Sequence, residues 1–324
     1  MRVRGLFAAL SVAALIAVPC AATAQANYPS GPLHIVAPYP PGGGTDILAR
    51  TIGQKLNESL KQPVIAENRV GANGTIGAAY VAKSAPDGLT LLIVPAGYAA
   101  NPALYKNLPY DQARDLAPVS QLASGPLVLV VHPSLPANSV RELIALAKSR
   151  PGEINVGSAG NGSLPHLCAE LFNTTAGVRL THIPYKGSGA AISDVLSGQV
   201  PVYFMNILQS LPLIKAGKLR ALGVTSPQRS MIAPDLPAIA QDLPGFDMTN
   251  WYGLLVAGGT PPAIINRLQR EVARVLNLPE LKERLAGEGM TVVASTPEDF
   301  VVFLARETAK YNRIIQTAGI KNSQ

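Results

Sequence analysis

Cysteine is almost missing from this chain of 324 residues, which contains only Cys20 and Cys168. Cys20 falls in an N-terminal apolar segment expected to be removed, so Cys168 would stand alone and no intramolecular disulfide could form, even in an oxidising compartment. Paired cysteines of the kind that hold zinc are absent with it. The four histidines, His34, His132, His166 and His182, are scattered, with no His-Glu-x-x-His spacing among them. Gly187-Ser188-Gly189 is not the Gly-x-Ser-x-Gly of a nucleophile elbow, and no glycine run continues into Gly-Lys-Ser/Thr or a clean Gly-x-Gly-x-x-Gly. No nucleophile and base come together, so the sequence argues against an enzyme and implies neither a cofactor nor a metal.

Long hydrophobic runs are also lacking: no stretch beyond the N-terminus reaches the roughly eighteen apolar residues needed to cross a bilayer. Basic runs interleaved with aromatics are missing too, which argues against nucleic acid as a partner. Arg2 and Arg4 precede an apolar run from Leu6 to Val18, followed by Ala22-Thr23-Ala24, the layout of a cleavable secretory signal peptide. Residues 1–24 are assigned to it, with cleavage after Ala24 and Ala26 as the second choice. Pro19 before Cys20 does not fit a lipobox. The signal carries Arg2 and Arg4 but no acid, so the net charge of +7 falls by two to +5 in the mature chain, a mild bias that suits anionic ligands. The expectation is an exported, periplasmic, monomeric protein.

From Leu33 onwards, short apolar runs alternate with amphipathic patterns, the signature of βαβ units with helices on the faces of a largely parallel sheet. One series covers Leu33 to Val94. A second begins at Leu127 and runs to Thr225; a proline-rich connection, a strand near Trp251 and three closing helices follow. Two α/β series of similar size, with the chain returning at the end, predict a bilobed protein with two crossover connections, near Ala123–Pro126 and near Asp247–Tyr252. The domains are drawn as residues 25–124 plus 249–324, and residues 125–248.

Each series contains a glycine-rich loop between a strand and a helix. The first is Pro38-Tyr39-Pro40-Pro41-Gly42-Gly43-Gly44-Thr45-Asp46; the second is Gly157-Ser158-Ala159-Gly160-Asn161-Gly162-Ser163, leading into Leu164-Pro165-His166. Such loops expose backbone N–H groups beside the positive end of a helix dipole, a ready site for a carboxylate or phosphate. If the lobes face each other, the two loops converge on one cleft at the carboxyl ends of their strands. Thr45 or Asp46 would cap the first helix, and for Asp46 capping is preferred to ligand contact because its charge would repel an anion. His166 reads equally as a ligand donor or as an inward-packing residue. Lys186 reads as a solvated lysine before an anion-steering one, while Tyr39 and Tyr98 read as cavity lining or lobe packing. Trp251, the only tryptophan, is expected to pack near a crossing.

Tyr28-Pro29, Pro38 to Asp46 with Ala49-Arg50, Glu67-Asn68-Arg69 with Gly71 and Gly74, and Val156 to Glu170 occur in this order. They are followed by His182-Ile183-Pro184-Tyr185-Lys186-Gly187, Leu219 to Thr225, and Trp251-Tyr252-Gly253-Leu254 with Gly259-Thr260-Pro261. In order and spacing the chain resembles the periplasmic solute-binding proteins of tripartite tricarboxylate transporters, the Bug proteins. The resemblance implies a two-domain Venus-flytrap clamp closing on a small organic carboxylate, which is then delivered to membrane permease subunits. A membrane sensor kinase is the alternative partner, and an exported α/β enzyme is the less favoured class. Carried over by position, the ligand contacts are Tyr39, Gly42, Gly43 and Asp46 on the first loop and Ser158, Gly160, Gly162, Ser163 and His166 on the second. Relatives often carry Asp where this chain has Pro201 and Asn206, which points to a carboxylate without an amine. Another departure, at Val256-Ala257-Gly258-Gly259, is expected to affect only a turn.

Overall fold

The computed structural model describes residues 28–320 apart from 43 and 288, so the predicted signal peptide and Gly43 lie outside the described residues. The first series folds as β1 (Leu33–Ala37), α1 (Gly44–Leu60), β2 (Val64–Asn68), α2 (Thr75–Ala82), β3 (Thr90–Pro95) and the single turn α3 (Asn101–Leu104). It leads into β4 (Leu116–Val131). The second series is α4 (Val140–Ser149), β5 (Asn155–Ser158), α5 (Leu164–Ala176), β6 (Thr181–Pro184), α6 (Ser188–Leu196), β7 (Val202–Asn206), α7 (Ile207–Lys215) and β8 (Arg220–Val224). The chain returns through β9 (Thr249–Ala257), α8 (Pro262–Leu276), α9 (Pro279–Gly287), β10 (Thr291–Val292) and α10 (Pro297–Thr317).

The strands join in the order β2-β1-β3-β9-β4-β7-β5-β6, with β8 and β10 added to β4. Pairs within each βαβ series are parallel, whereas β9 and β4 run antiparallel to their neighbours. β4 belongs to both lobes. Its stretch from Leu116 to Pro126 pairs with β9 and its last five residues pair with β7. The sequence starts a strand only at Leu127 and puts a crossover near Ala123–Pro126; in the structure a single strand, β4, runs straight through that stretch. Register shifts at Pro118/Ser120 and Gln121/Ala123 accommodate the irregular segment. The stretch Ala96–Leu104, which follows β3, forms a 3₁₀ turn and then α3.

Strand alternation sorts the core. In β1, Leu33, Ile35 and Ala37 face α1 and α8, packing with Ile52, Leu56, Leu268 and Val272. Val36 points to the opposite face, into a cluster that continues without a break from the first lobe to Phe172, Phe204 and Phe246 of the second. α10 lies along this continuous core: its Phe300, Leu304, Tyr311 and Ile314 share a cluster with Leu167 and Phe172 of α5. Trp251 is fully buried there, edge-on to Phe300 and Phe303 at 6.1 and 5.4 Å, and its indole N–H donates to Glu307 at 3.3 Å. The buried Glu307 carboxylate is compensated by Lys310 Nζ at 2.6 Å, as a charge in the interior requires.

Candidate functional site

β1 delivers the chain into the first glycine loop, where Gly42 adopts φ +83°, in the left-handed region. Helix α1 begins at Gly44, one residue earlier than the sequence suggests, so neither Thr45 nor Asp46 occupies the capping position. Asp46 sits in the third helical position and reaches back: its Oδ2 accepts the Gly42 N–H at 3.0 Å. Its other oxygen accepts from Arg50 Nε at 3.0 Å and Asn68 Nδ2 at 2.9 Å, and Asn68 also donates to the Tyr39 carbonyl at 3.0 Å. The buried carboxylate is thereby the clasp of the loop. The Arg50 guanidinium and the Gly42 N–H, with help from Asn68, hold its pKa down at about 2. Gly44 is glycine for space, because a Cβ there would overlap the Tyr252 hydroxyl.

The segment after β2 completes this wall. Gly71, Ala72, Asn73 and Gly74 have φ of +139°, +44°, +51° and +84°, four successive residues in the left-handed region. This bend turns Asn73 toward the first loop: the Tyr39 hydroxyl donates to its carbonyl at 3.1 Å and lies 3.2 Å from its Oδ1. Asn73 Nδ2 in turn donates to Asn101 Oδ1 at 2.9 Å, at the start of α3. Burial raises the Tyr39 phenol well above its ordinary range, so it stays a neutral donor.

On the second lobe, loop Gly157–Ser163 folds around one carbonyl. The Gly160 oxygen accepts from Ser158 Oγ at 3.1 Å, Ser163 Oγ at 2.7 Å and the Ser163 N–H at 3.1 Å. Ser158 Oγ also lies 2.5 Å from His182 Nε2. His166, fixed in the first turn of α5, accepts the Gly162 N–H on Nδ1 at 2.9 Å, so its proton resides on Nε2. Its ring stacks on His182, with centroids 3.7 Å apart and planes at 11°. Burial, and the neighbouring His182, lower the His166 pKa to about 4; burial lowers that of His182 as well. Two neutral imidazoles thus brace this loop where an ionised carboxylate braces the other.

Helix α3 joins the two walls. Asn101 at its start carries the Tyr39–Asn73 chain, and Leu104 at its end lies so close to Gly162 that an added Cβ would sit 3.1 Å from Leu104 Cδ1. Four residues of helix span about 6 Å, which brings the loops to opposite ends of one turn. The first N–H groups of α1, α2 and α5 have no intrahelical acceptor. Among the described residues, the N–H groups of Ala159 and Asn161 also lack a protein acceptor. Segments 38–44, 71–75 and 157–163 contain no Lys or Arg. Arg50 is committed to Asp46 and Asn68, and Lys186 is exposed. These segments offer neutral donors and helix dipoles.

Of the residues expected at the site, Asp46, Ser158, Ser163 and His166 have side chains engaged within their own lobe, Gly42, Gly160 and Gly162 adopt positive φ, and Tyr39 links the first loop to Asn73. Gly43 lies outside the described residues. Tyr98 packs in the core, 2% exposed. Sequence reading missed Asn73, Asn101, Leu104 and the stacking partner role of His182. Only Gly71-x-x-Gly74 flanking Asn73 hinted at the left-handed bend.

Two α/β lobes sharing strands, with one glycine loop linked through Asn73 to the start of α3 and the other lying against its end, define the class of bilobed periplasmic binding proteins. The family described as "Tripartite tricarboxylate transporter family receptor" matches residues 48–320, and the chain belongs to that family. It is 39% identical to Protein BugT of Bordetella pertussis over 309 residues, 94% of each chain. Among solved structures, it is similar to R. palustris Rpa4515 with adipate (36% identity, TM-score 0.77, covering 92% of this chain and 100% of that one). It is also similar to MatC from Rhodopseudomonas palustris with bound malate (31% identity, TM-score 0.73, 89% and 100% covered). A ligand-free TctC solute-binding protein from Polaromonas aligns at 32% identity with a TM-score of 0.79, covering 90% and 100%.

Proposed function

We propose that this chain is exported behind a cleavable signal peptide, captures a small organic carboxylate between its lobes in the periplasm, and delivers it to the membrane permease subunits of a tripartite tricarboxylate-type transporter. The supporting observation is the pair of glycine loops at either end of α3, rich in neutral donors and free of Lys and Arg. A carboxylate bound there is held by backbone N–H groups and helix dipoles, which are stronger away from bulk water. The lobes, divided as residues 25–124 plus 249–324 and residues 125–248, close on it as a monomeric clamp. Tyr39, Gly42, Gly43, Gly160 and Gly162 supply contacts or close backbone approach; Asp46, Ser158, Ser163 and His166 shape the loops that make them. Adipate and malate, found with two relatives, are the first ligands to test. With Pro201 and Asn206 where relatives often have Asp, an amine-free acid is preferred.

A thermal-shift screen of mono-, di- and tricarboxylates and aromatic acids tests the reading. A ligand at a hundred times its Kd stabilises the folded state by about 2.7 kcal/mol. A broad panel that leaves Tm unmoved refutes carboxylate capture. Loss of uptake of the bound acid on gene deletion tests the delivery step.

A further inference from the structure

Asn-Gly, the dipeptide most prone to lose its side-chain amide, occurs at Asn73-Gly74 and at Asn161-Gly162. Loss begins when the backbone nitrogen of the glycine attacks the asparagine Cγ, and a residue without a side chain leaves that approach open. The fold treats the two pairs differently. Asn73 is half-buried, its Nδ2 donates to Asn101 Oδ1 at 2.9 Å, and the Gly74 N–H donates to the Gly71 carbonyl at 2.9 Å. Its amide is held, and its nucleophile faces no base.

Asn161 is exposed in the second glycine loop, and among the described residues its carboxamide makes no hydrogen bond. The Gly162 N–H donates to His166 Nδ1 at 2.9 Å, so the nitrogen that must lose a proton already rests on an imidazole lone pair. Among the described residues, the ionisable groups facing that ring are His182, stacked on it, and Glu170, whose Oε1 lies 3.7 Å from Nε2. Burial and His182 lower the pKa of His166 to about 4, so the ring is unprotonated at neutral pH and free to accept.

We propose that Asn161 is a self-modification site: His166 Nδ1 takes the Gly162 proton, the glycine nitrogen bonds to Asn161 Cγ, and a cyclic imide closes. The imidazolium returns its proton to the departing amide nitrogen, which leaves as ammonia. Water then opens the ring at either carbonyl, giving aspartate or isoaspartate with no redox change. Either product puts a carboxylate into a loop that carries no Lys or Arg to offset it. Isoaspartate also adds a methylene to the backbone path ahead of Gly162. The chain thus carries a clock that weakens its own grip on an anion; this consequence, unlike the modification, rests on the carboxylate reading above.

Peptide mass spectrometry of the full mature protein, incubated warm at neutral pH, tests it. Conversion of amide to acid is expected at Asn161 about tenfold faster than at Asn73. His166→Gln is expected to slow it about tenfold in the folded protein and to leave it unchanged in urea, where no base is held against the glycine. In the parent the rate is expected to stay level from about pH 6 to 8, whereas hydroxide as the base gives about a tenfold rise per unit. By calorimetry, Asn161→Asp and the aged fraction separated by ion exchange are expected to bind adipate about tenfold more weakly than fresh protein. Adipate that binds none of these proteins counts against the carboxylate reading, while conversion at Asn161 still supports the modification. Faster conversion at Asn73, equal rates in the parent and His166→Gln, or a rate that climbs with pH overturns the proposal; equal adipate affinity in fresh and aged protein overturns the clock.

Discussion

The two glycine loops are alike in plan and opposite in chemistry. The first is clasped by an ionised carboxylate, Asp46, shared among Gly42, Arg50 and Asn68; the second is braced by neutral imidazoles, His166 on Gly162 and His182 on Ser158. One backbone task, presenting N–H groups around a glycine turn, therefore has two solutions that differ in their response to acid. A carboxylate clasp works while ionised, an imidazole brace only while neutral.

The largest expected effect follows from that contrast. The folded-state pKa of His166, about 4, lies below its ordinary 6.5, so the unfolded chain takes up the proton first. Its contribution is full above pH 6.5 and is lost as pH falls toward 4, on the order of 3 kcal/mol, with His182 adding in the same direction. For Asp46 the pKa falls from 3.8 to about 2, so its contribution persists down to pH 3.8 and is lost only below it. Urea midpoints at pH 7, 5.5 and 4.5 should fall steadily in the parent protein, and His166→Gln should remove much of that slope. A parent protein equally stable at pH 7 and 4.5 breaks the comparison.

Next in size, Asp46→Ala leaves the Gly42 N–H, Arg50 and Asn68 without their shared acceptor. A loss of about 2 kcal/mol is expected in denaturant unfolding, with at least a tenfold loss of carboxylate affinity by calorimetry. Ser158→Ala removes a neutral hydroxyl from a fully buried site, with an expected cost of about 1 kcal/mol. If the serine proves the more important of the two, the charged clasp is not what holds its loop.

The smallest effect separates strain from contact. Gly42 has φ +83° and no heavy atom within 4 Å of an added Cβ, so Gly42→Ala should cost only the left-handed conformation, about 1 kcal/mol. Gly162 has φ +74° and meets Leu104 at 3.1 Å, so Gly162→Ala should cost about 2 kcal/mol and weaken carboxylate binding as well. Equal losses in thermal unfolding would mean that the contact between lobes carries no energy.

Local pattern carried the element order well: Leu33–Ala37 and Pro297–Thr317 were readable from alternation and from a proline at the start of an amphipathic helix. β4 was only half legible. Pro118, Gly125 and Pro126 look like breakers, and only pairing with β9 along its length makes a strand of them. The loops themselves were visible, but their fastenings were not. Tyr39 to Asn73, Asn73 to Asn101 and Ser158 to His182 are separated by 34, 28 and 24 positions, beyond the reach of any periodicity. Asp46 was visible as a charged residue at a helix start, and its role as a clasp emerged only with Asn68 folded beside it.

The antiparallel pairing of β4 with β9 continues through Gly125 opposite Asn250 and Pro126 opposite Thr249, where the chain passes from one lobe to the other. At Gly125 even a methyl group would overlap the Gly289 carbonyl. Two hydrogen-bonded strands can twist but resist stretching, so the lobe closure proposed above would turn about this ribbon as about a torsion bar. Rotation about it moves atoms in proportion to their distance from the axis. Under that proposal the loops, away from the axis, could be recut for a different cargo while the pivot kept the same travel.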